Sequence, residues 1–381
     1  MDSTDILRAL VGFDTTSRLS NLPLIDWVED YLSGHGIRGR RLPDATGAKA
    51  TLWVTIGPED VPGYILSGHT DVVPVDGQVW SSDPFTLTER DGRLYGRGTA
   101  DMKGFLACCL SRVPAMAAAP LVRPIHLALS YDEEIGCVGV RDLVDELSAA
   151  SLKPLACFVG EPSSMQVVIG HKQKRSLRAV VRGRACHSSL APQGVNAVEY
   201  AALLAVKLRE IGARLAAGPS DPLYEVPVST AHIGILTGGT ALNIVPDRAE
   251  MVFEFRALPD QDITALVGEV IDHVRTAIEP QMQAVDPATG IDIEVFAGFP
   301  GLDTPPEAEV AVLAKRLAGR NDHAKVAYGA EAGLFAQAGI PLVIVGPGDI
   351  AQAHRPDEFI AVDQLRRCDA FIDGLIAVAT T

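Results

Sequence analysis

Five short stretches of this chain carry residues able to hold metal ions and move protons. They are S-G-H-T-D (67–71), G-R-G-T-A-D-M-K-G (96–104), Y-D-E-E-I-G (131–136), G-E-P (160–162) and A-H-R-P-D-E (353–358). Imidazole mixed with carboxylate suits divalent ions of the zinc type, whereas carboxylates alone would suit magnesium or calcium. His69, Asp101, Glu134, Glu161 and His354 form the candidate ligand set, sufficient for two ions. Two ions close together need a shared ligand, and a carboxylate has two oxygens for that task. Asp101 is the candidate bridge, because its glycine-rich surroundings allow the backbone to turn tightly. A ligating histidine usually donates its other ring N–H to a carboxylate, and Asp71 lies two residues beyond His69, on the same side of an extended segment. Glu133 and Glu134, if on a strand, point opposite ways. One can ligate while the other, Glu133, faces the substrate as general base for hydrolysis. Each motif alone is weak: paired glutamates are usually a solvated surface, and G-E-P alone is a turn. The specificity lies in the set. His126, His171, His232, His273 and His323 lack such context and read as structural or exposed.

Residues so far apart in sequence need a framework to gather them. Helical patterns run over 3–18, 22–35, 102–118 and 137–149, and strand-like runs over 51–56, 63–69, 124–131 and 155–160. This alternation, with short continuous apolar runs, predicts an α/β catalytic domain whose largely parallel sheet is covered by helices. Ligand sites in such sheets form beyond the carboxyl ends of the strands, where His69, Glu133, Glu134 and Glu161 would sit. The pattern changes near residue 170. Strands over 176–184, 228–236, 244–256 and 291–297, with helices over 195–216 and 262–283, give β-α-β-β-α-β, a ferredoxin-like α+β order. Strands over 324–327 and 341–345 and a helix over 363–379 then restore the first pattern. The expected division is a catalytic domain in two parts, 1–172 and 299–381, interrupted by an inserted domain, 173–298.

Composition sets outer bounds. Hydrophobic residues make up 47% and charged residues 21% of the 381 residues, which is globular composition. A net charge of −15 argues against nucleic acid or an anionic membrane as main partner. The basic run 172–184 alternates along a strand and lacks aromatic residues for base stacking. No apolar stretch approaches the length of a membrane helix, and the N-terminus lacks a signal-peptide pattern. Six cysteines without C-x-x-C read as reduced thiols, and the expected location is the cytoplasm.

In these motifs and their order the chain resembles the M20 metallopeptidase family over essentially its full length. The resemblance implies that His69 and Glu161 hold one ion, Glu134 and His354 the other, with Asp101 between them. It implies zinc first and cobalt second, Glu133 as base and Asp71 behind His69. It also implies that the inserted domain is a lid and dimerisation domain, so that the protein is a homodimer. G-R-A-C-H-S-S (183–189) is similar to the family segment whose histidine, here His187, reaches the partner's active site and polarises the scissile carbonyl. G-G-T-A-L-N-I-V-P-D (238–247) and F-E-F-R (253–256) suggest Asn243 and Arg256 as substrate contacts, Arg256 forking onto an α-carboxylate. Within the family, F-D-T-T-S-R (13–18), G-H-K-Q-K-R-S (170–176) and Y-G-A-E-A-G-L-F (328–335) are similar to the acetylornithine deacetylases. The substrate this implies is an N-acyl amino acid, N2-acetyl-L-ornithine. An aminoacylase of broader range, a desuccinylase and a metal-binding relative without turnover are the alternatives. Ala330 stands where that loop usually carries threonine. Glu331 beside it either pairs with a substrate ammonium or starts a helix.

Overall fold

The computed structural model describes residues 1–381, which fold as two compact units. The first comprises Met1–Gly170, Leu302–Lys325 and Ala330–Thr381, and the second His171–Gly301 with Val326–Gly329. No helix is long and apolar enough to cross a membrane. All six cysteines are unpaired, and five are buried.

The first unit is built on a mixed sheet. Its strands follow the order Gly39–Pro43, Ala50–Ile56, Ile125–Ser130, Tyr64–His69, Ala156–Val159, Leu342–Ile344, Val168–His171 and Leu302–Asp303, with Ala324–Val326 beside Val168–His171. The four strands from Ile125–Ser130 to Leu342–Ile344 run parallel. Antiparallel strands flank them on both sides. Tyr64–His69, Ala156–Val159 and Leu342–Ile344 are buried along their whole length, as expected of strands covered on both faces. Helices Lys103–Ser111 and Val362–Ala379 supply much of the cover. Phe371 of the latter meets Phe158 edge-on at 5.4 Å between ring centroids. The register fixes where the strands stop. His69 lies opposite Ser130, and Ser67 opposite Val159, so three neighbouring parallel strands end nearly level.

The second unit is a four-stranded antiparallel sheet in the order Thr230–Gly238, Arg248–Ala257, Gln173–Arg182, Gly290–Phe299. With helices Ala197–Ala216 and Ile263–His273, the chain order is β-α-β-β-α-β, the ferredoxin-like arrangement. Strand Arg248–Ala257 alternates strictly, burying Ala249, Met251, Phe253 and Phe255 on one face. Asn196 caps helix Ala197–Ala216 by accepting from the amides of Val198 and Glu199 at 3.1 and 3.3 Å.

The structure departs from the sequence pattern where local chemistry overrides periodicity. The first helix is Ser3–Val11, not 3–18. Thr15 donates its hydroxyl to the Thr70 carbonyl at 2.6 Å, and Thr16 bridges Val72, so this polar segment runs beside the 70–72 loop instead. Pro114 divides the expected 102–118 helix into Lys103–Ser111 and Val113–Ala118. Cys137 adopts a φ of 55°, and helix Arg141–Ala149 starts only after that turn. A π-turn at Val274–Ile278 interrupts the 262–283 helix just before Pro280. The short strands Arg93–Tyr95 and Phe359–Ala361 and the helix Glu309–Leu317 had no expectation attached.

His126 is packed, as its lack of chemical context suggested. Its ring stacks on Trp53 at 4.7 Å, and burial pushes its imidazole down to about 4. The folded protein keeps this ring neutral down to about that pH, while the unfolded chain takes up the proton near 6.5. The stability present above the unfolded value is therefore lost as pH falls towards 4, at about 1.4 kcal/mol per pH unit for this group. The advantage of wild type over His126→Phe in urea midpoint should shrink between pH 7.5 and pH 5. A difference independent of pH would contradict this account.

Candidate metal centre

The level strand ends of the first unit gather the motifs. His69 closes strand Tyr64–His69, Glu133 and Glu134 follow Ile125–Ser130, and Glu161 follows Ala156–Val159. These three strands are adjacent and parallel, with His69 on the central one. Gly160 is required before Glu161, since a Cβ there would fall 2.0 Å from the Phe105 ring. Asp101 enters on the glycine-rich loop before helix Lys103–Ser111, and the Asp101–Met102 peptide is cis. Gly98 in that loop has a φ of 81°, which favours glycine. His354 lies in the segment after strand Leu342–Ile344 and holds a φ of 65°, unusual for a residue with a side chain.

Asp101 stands between the two imidazoles. Its Oδ1 lies 3.2 Å from His69 Nε2, and its Oδ2 lies 3.5 Å from His354 Nε2. On the first side, Glu161 Oε1 is 3.8 Å from His69 Nε2. On the second, Glu134 Oε2 is 3.0 Å from His354 Nε2. Ligand atoms of His69, Asp101 and Glu134 lie within 4.8 Å of one another, and so do those of His69, Glu133 and Glu161. Glu133 therefore reaches the same space as the expected ligands. Its carboxylate accepts only the weak Cys137 thiol, at 3.4 Å.

Asp71 organises the back of this cluster. His69 Nδ1 lies 2.8 Å from the Asp71 carbonyl and 3.4 Å from its Oδ1, which leaves Nε2 facing the centre. The carbonyl is thus the nearer acceptor, beside the carboxylate that H-x-D spacing suggested. The Asp71 carboxylate also accepts from Ser17 Oγ at 2.7 Å and from the amides of Glu133 and Glu134 at 3.1 and 3.3 Å. Those two glutamates lie on a turn, not a strand, because Asp132 adopts a φ of 54°. Their separation comes from the turn and from Asp71 holding both amides.

The electrostatics call for cations. Burial pushes Glu133 up to about 8 and Glu134 up to about 7, and neighbouring carboxylates add to both. Burial likewise raises Glu161 well above the usual range, with Asp101 and Glu133 adding to it. Hydrogen bonds to Asp101 and Glu134 raise His354 to about 10. Against burial, contacts with His354 and His69 hold Asp101 low. Glu161 Oε1 is buried without a hydrogen-bond partner. An orphaned carboxylate oxygen 3.8 Å from His69 Nε2 fits a shared cation, and the donor set fits a zinc-type ion.

The remaining expected residues lie elsewhere. Glu331 is 1% exposed, and its oxygens accept from Ser67 at 2.5 Å and Ser130 at 2.8 Å. It stands at the start of helix Ala332–Gln337, the second of its two expected roles. Ala330 is fully buried. His187, Asn243 and Arg256 belong to the second unit. His187 Nδ1 accepts from the Ser189 amide at 3.2 Å, and the Ser188 amide donates to the Asn243 carbonyl at 3.0 Å, so these two exposed residues share one loop cluster. Arg256 Nε donates to Glu254 at 2.8 Å. Sequence reasoning missed Ser17 and the Ser67–Ser130 pair, since isolated serines carry no signal until their acceptors are placed.

The chain is similar to known proteins over nearly its whole length. The pattern of Peptidase family M20/M25/M40 matches residues 65–377. The chain is 34% identical over 362 residues to an acetylornithine deacetylase of Photorhabdus laumondii, spanning 94% of this chain and 90% of that protein. It is 32% identical over 385 residues to an acetylornithine deacetylase of Myxococcus xanthus, spanning 99% and 98%. Among solved structures, a M20 family metallo-carboxypeptidase of Sulfolobus solfataricus aligns over all of both chains with a TM-score of 0.79 at 20% identity. Aminopeptidase PepT of Bacillus cereus aligns over 100% of this chain and 98% of its own with a TM-score of 0.75 at 22% identity. This chain belongs to Peptidase family M20/M25/M40.

Proposed function

We propose that this protein is a two-metal amide hydrolase that removes the acetyl group from N2-acetyl-L-ornithine, giving ornithine and acetate. The observation that carries the two-metal reading is Asp101, whose two oxygens face two different histidine–glutamate pairs. The substrate reading draws on the acetylornithine deacetylases at 34% and 32% identity over nearly the whole chain. Such a reaction has its place in arginine biosynthesis, in the cytoplasm.

His69 and Glu161 would hold one ion, Glu134 and His354 the other, and Asp101 both. Zinc fits this donor set first and cobalt second. Divalent ions there supply Lewis-acid polarisation of the scissile carbonyl and make water more acidic. Glu133 takes the proton from the attacking water and delivers it to the leaving nitrogen. Asp71 keeps the His69 ring oriented with Nε2 towards the centre. The terminal guanidinium nitrogens of Arg256 suit the substrate α-carboxylate, and Asn243, beyond the opposite end of strand Thr230–Gly238, would be a separate polar contact.

A homodimer fits the second unit. Strand Thr230–Gly238 is an edge strand, and Ile235 and Leu236 on it are 54% and 48% exposed. Leu242 just beyond is fully exposed. An unpaired edge with apolar side chains is a template for a second copy of the chain. His187 would then complete the partner's site, donating to the carbonyl oxygen as charge builds on it.

Glu133→Ala should lower kcat about 10²- to 10⁴-fold with metal content unchanged. Glu161→Ala should lose metal, as measured by elemental analysis after gel filtration. A Glu133→Ala enzyme of near-normal rate would remove the base assignment. His187→Ala and Glu161→Ala homodimers should each be inactive, and mixed dimers should regain activity; verified mixed dimers without activity would exclude action across the dimer. Assayed side by side, acetyl-ornithine should exceed other acetyl-amino acids and succinyl-diaminopimelate in kcat/KM. Preference for another acyl group would overturn the substrate and leave the hydrolase.

A further inference from the structure

One charged group of the first unit lies outside the catalytic set yet holds its central loop. Glu358 is fully buried, four residues after His354. Its Oε1 accepts from the amides of Ala100 and Asp101 at 2.8 and 3.1 Å. Its Oε2 accepts from the Gly98 amide at 2.9 Å and from Arg97 Nη1 at 2.7 Å. Each oxygen thus takes two donors from the loop that carries Asp101. Backbone pairing sets up this meeting. Strand Phe359–Ala361 pairs with Arg93–Tyr95, and the Gly96 amide donates to the Glu358 carbonyl at 3.0 Å.

A second chain of contacts ties the same loop to His354. Arg97 Nη2 donates to Gln78 Oε1 at 2.7 Å, and Gln78 Nε2 donates to the His354 carbonyl at 2.9 Å. Asp101 and His354 are thereby fixed to each other through Arg97, Gln78 and Glu358. His69 and Glu161 have no such need, because adjacent parallel strands place them. His354, with a φ of 65° on a connecting segment, depends on outside restraint.

We propose that Glu358, with Arg97 and Gln78, is a positioning group that sets Asp101 Oδ2 against His354 and governs affinity for the ion on the Glu134–His354 side. This rests on the two-metal reading of the centre. The substitution Glu358→Gln is informative because an amide has one acceptor oxygen. Two of the four donors would then face an NH2 group.

The test is a calorimetric titration of metal-free protein with Zn²⁺, alongside thermal unfolding. Wild type should show two sites. Glu358→Gln should weaken one site about 10- to 100-fold and leave the other within about threefold, in the range seen when partners behind a ligand are lost. Gln78→Leu removes no buried charge, so it should fold; it should weaken the same site by less, and it decides the matter if Glu358→Gln fails to fold. Unchanged affinities, or equal weakening of both sites, would overturn the proposal. If wild type itself bound no zinc, the two-metal reading would fall, and this inference with it.

Discussion

Asp71, Asp101, Glu133, Glu134 and Glu161 crowd onto one buried sheet edge, opposed by two imidazoles and, towards Asp71, by the buried Lys103. Two like charges about 4 Å apart repel by about 4 kcal/mol at an effective dielectric of 20, so a cluster of this kind needs compensation. The groups shift against one another: burial raises Glu133, Glu134 and Glu161, while carboxylate–imidazole contacts hold Asp101 low and raise His354. Divalent cations would relieve the repulsion and offer a partner to the orphaned oxygen of Glu161 together. The arrangement is held under electrostatic load, and the surrounding hydrogen bonds carry that load.

Those surrounding bonds follow a common logic. Each carboxylate that does not face the centre is filled with donors. Asp71 takes a serine hydroxyl and two amides. Glu331 takes two serine hydroxyls at the ends of neighbouring strands. Glu358 takes three amides and a guanidinium. Glu133 and Glu161, which do face it, are left short of donors. Chemistry at this edge is therefore assigned by hydrogen-bond supply as much as by residue type, since all these groups are carboxylates.

Much of this was legible in the sequence. The motifs containing His69, Glu133, Glu134 and Glu161 each follow an apolar run, and parallel strands must deliver such residues to one edge. The ferredoxin-like order of the second unit was legible from the succession of strand and helix patterns, with strand Arg248–Ala257 alternating strictly. What stayed hidden was set by distant partners. Nothing around Glu358 marks it as the acceptor for a loop some 260 residues away, and it read merely as the end of the His354 motif. Glu331 was ambiguous because its partners, Ser67 and Ser130, lie on two other segments. The first helix was drawn too long because Thr15 and Thr16 satisfy an amphipathic pattern while bonding to the 70–72 loop. Periodicity reports which face is buried; it does not report a side chain that takes over a backbone partner.

The two units also separate two kinds of requirement. Every residue that meets the metal centre, and every group bracing it, belongs to the first unit. His187, Asn243 and Arg256 belong to the second, which has its own core of Leu177, Met251, Phe253 and Phe255. Metal binding must tolerate little error, since an ion responds to ligand displacements of a few tenths of an ångström, and it is built on level parallel strands. The exposed His187 and Asn243 rest on loops joined to each other by the Ser188–Asn243 hydrogen bond. Substitutions at those loops therefore leave the charge balance of the first unit untouched. A loss of charge balance at Asp101 or Glu161, by contrast, has no counterpart in the second unit to offset it.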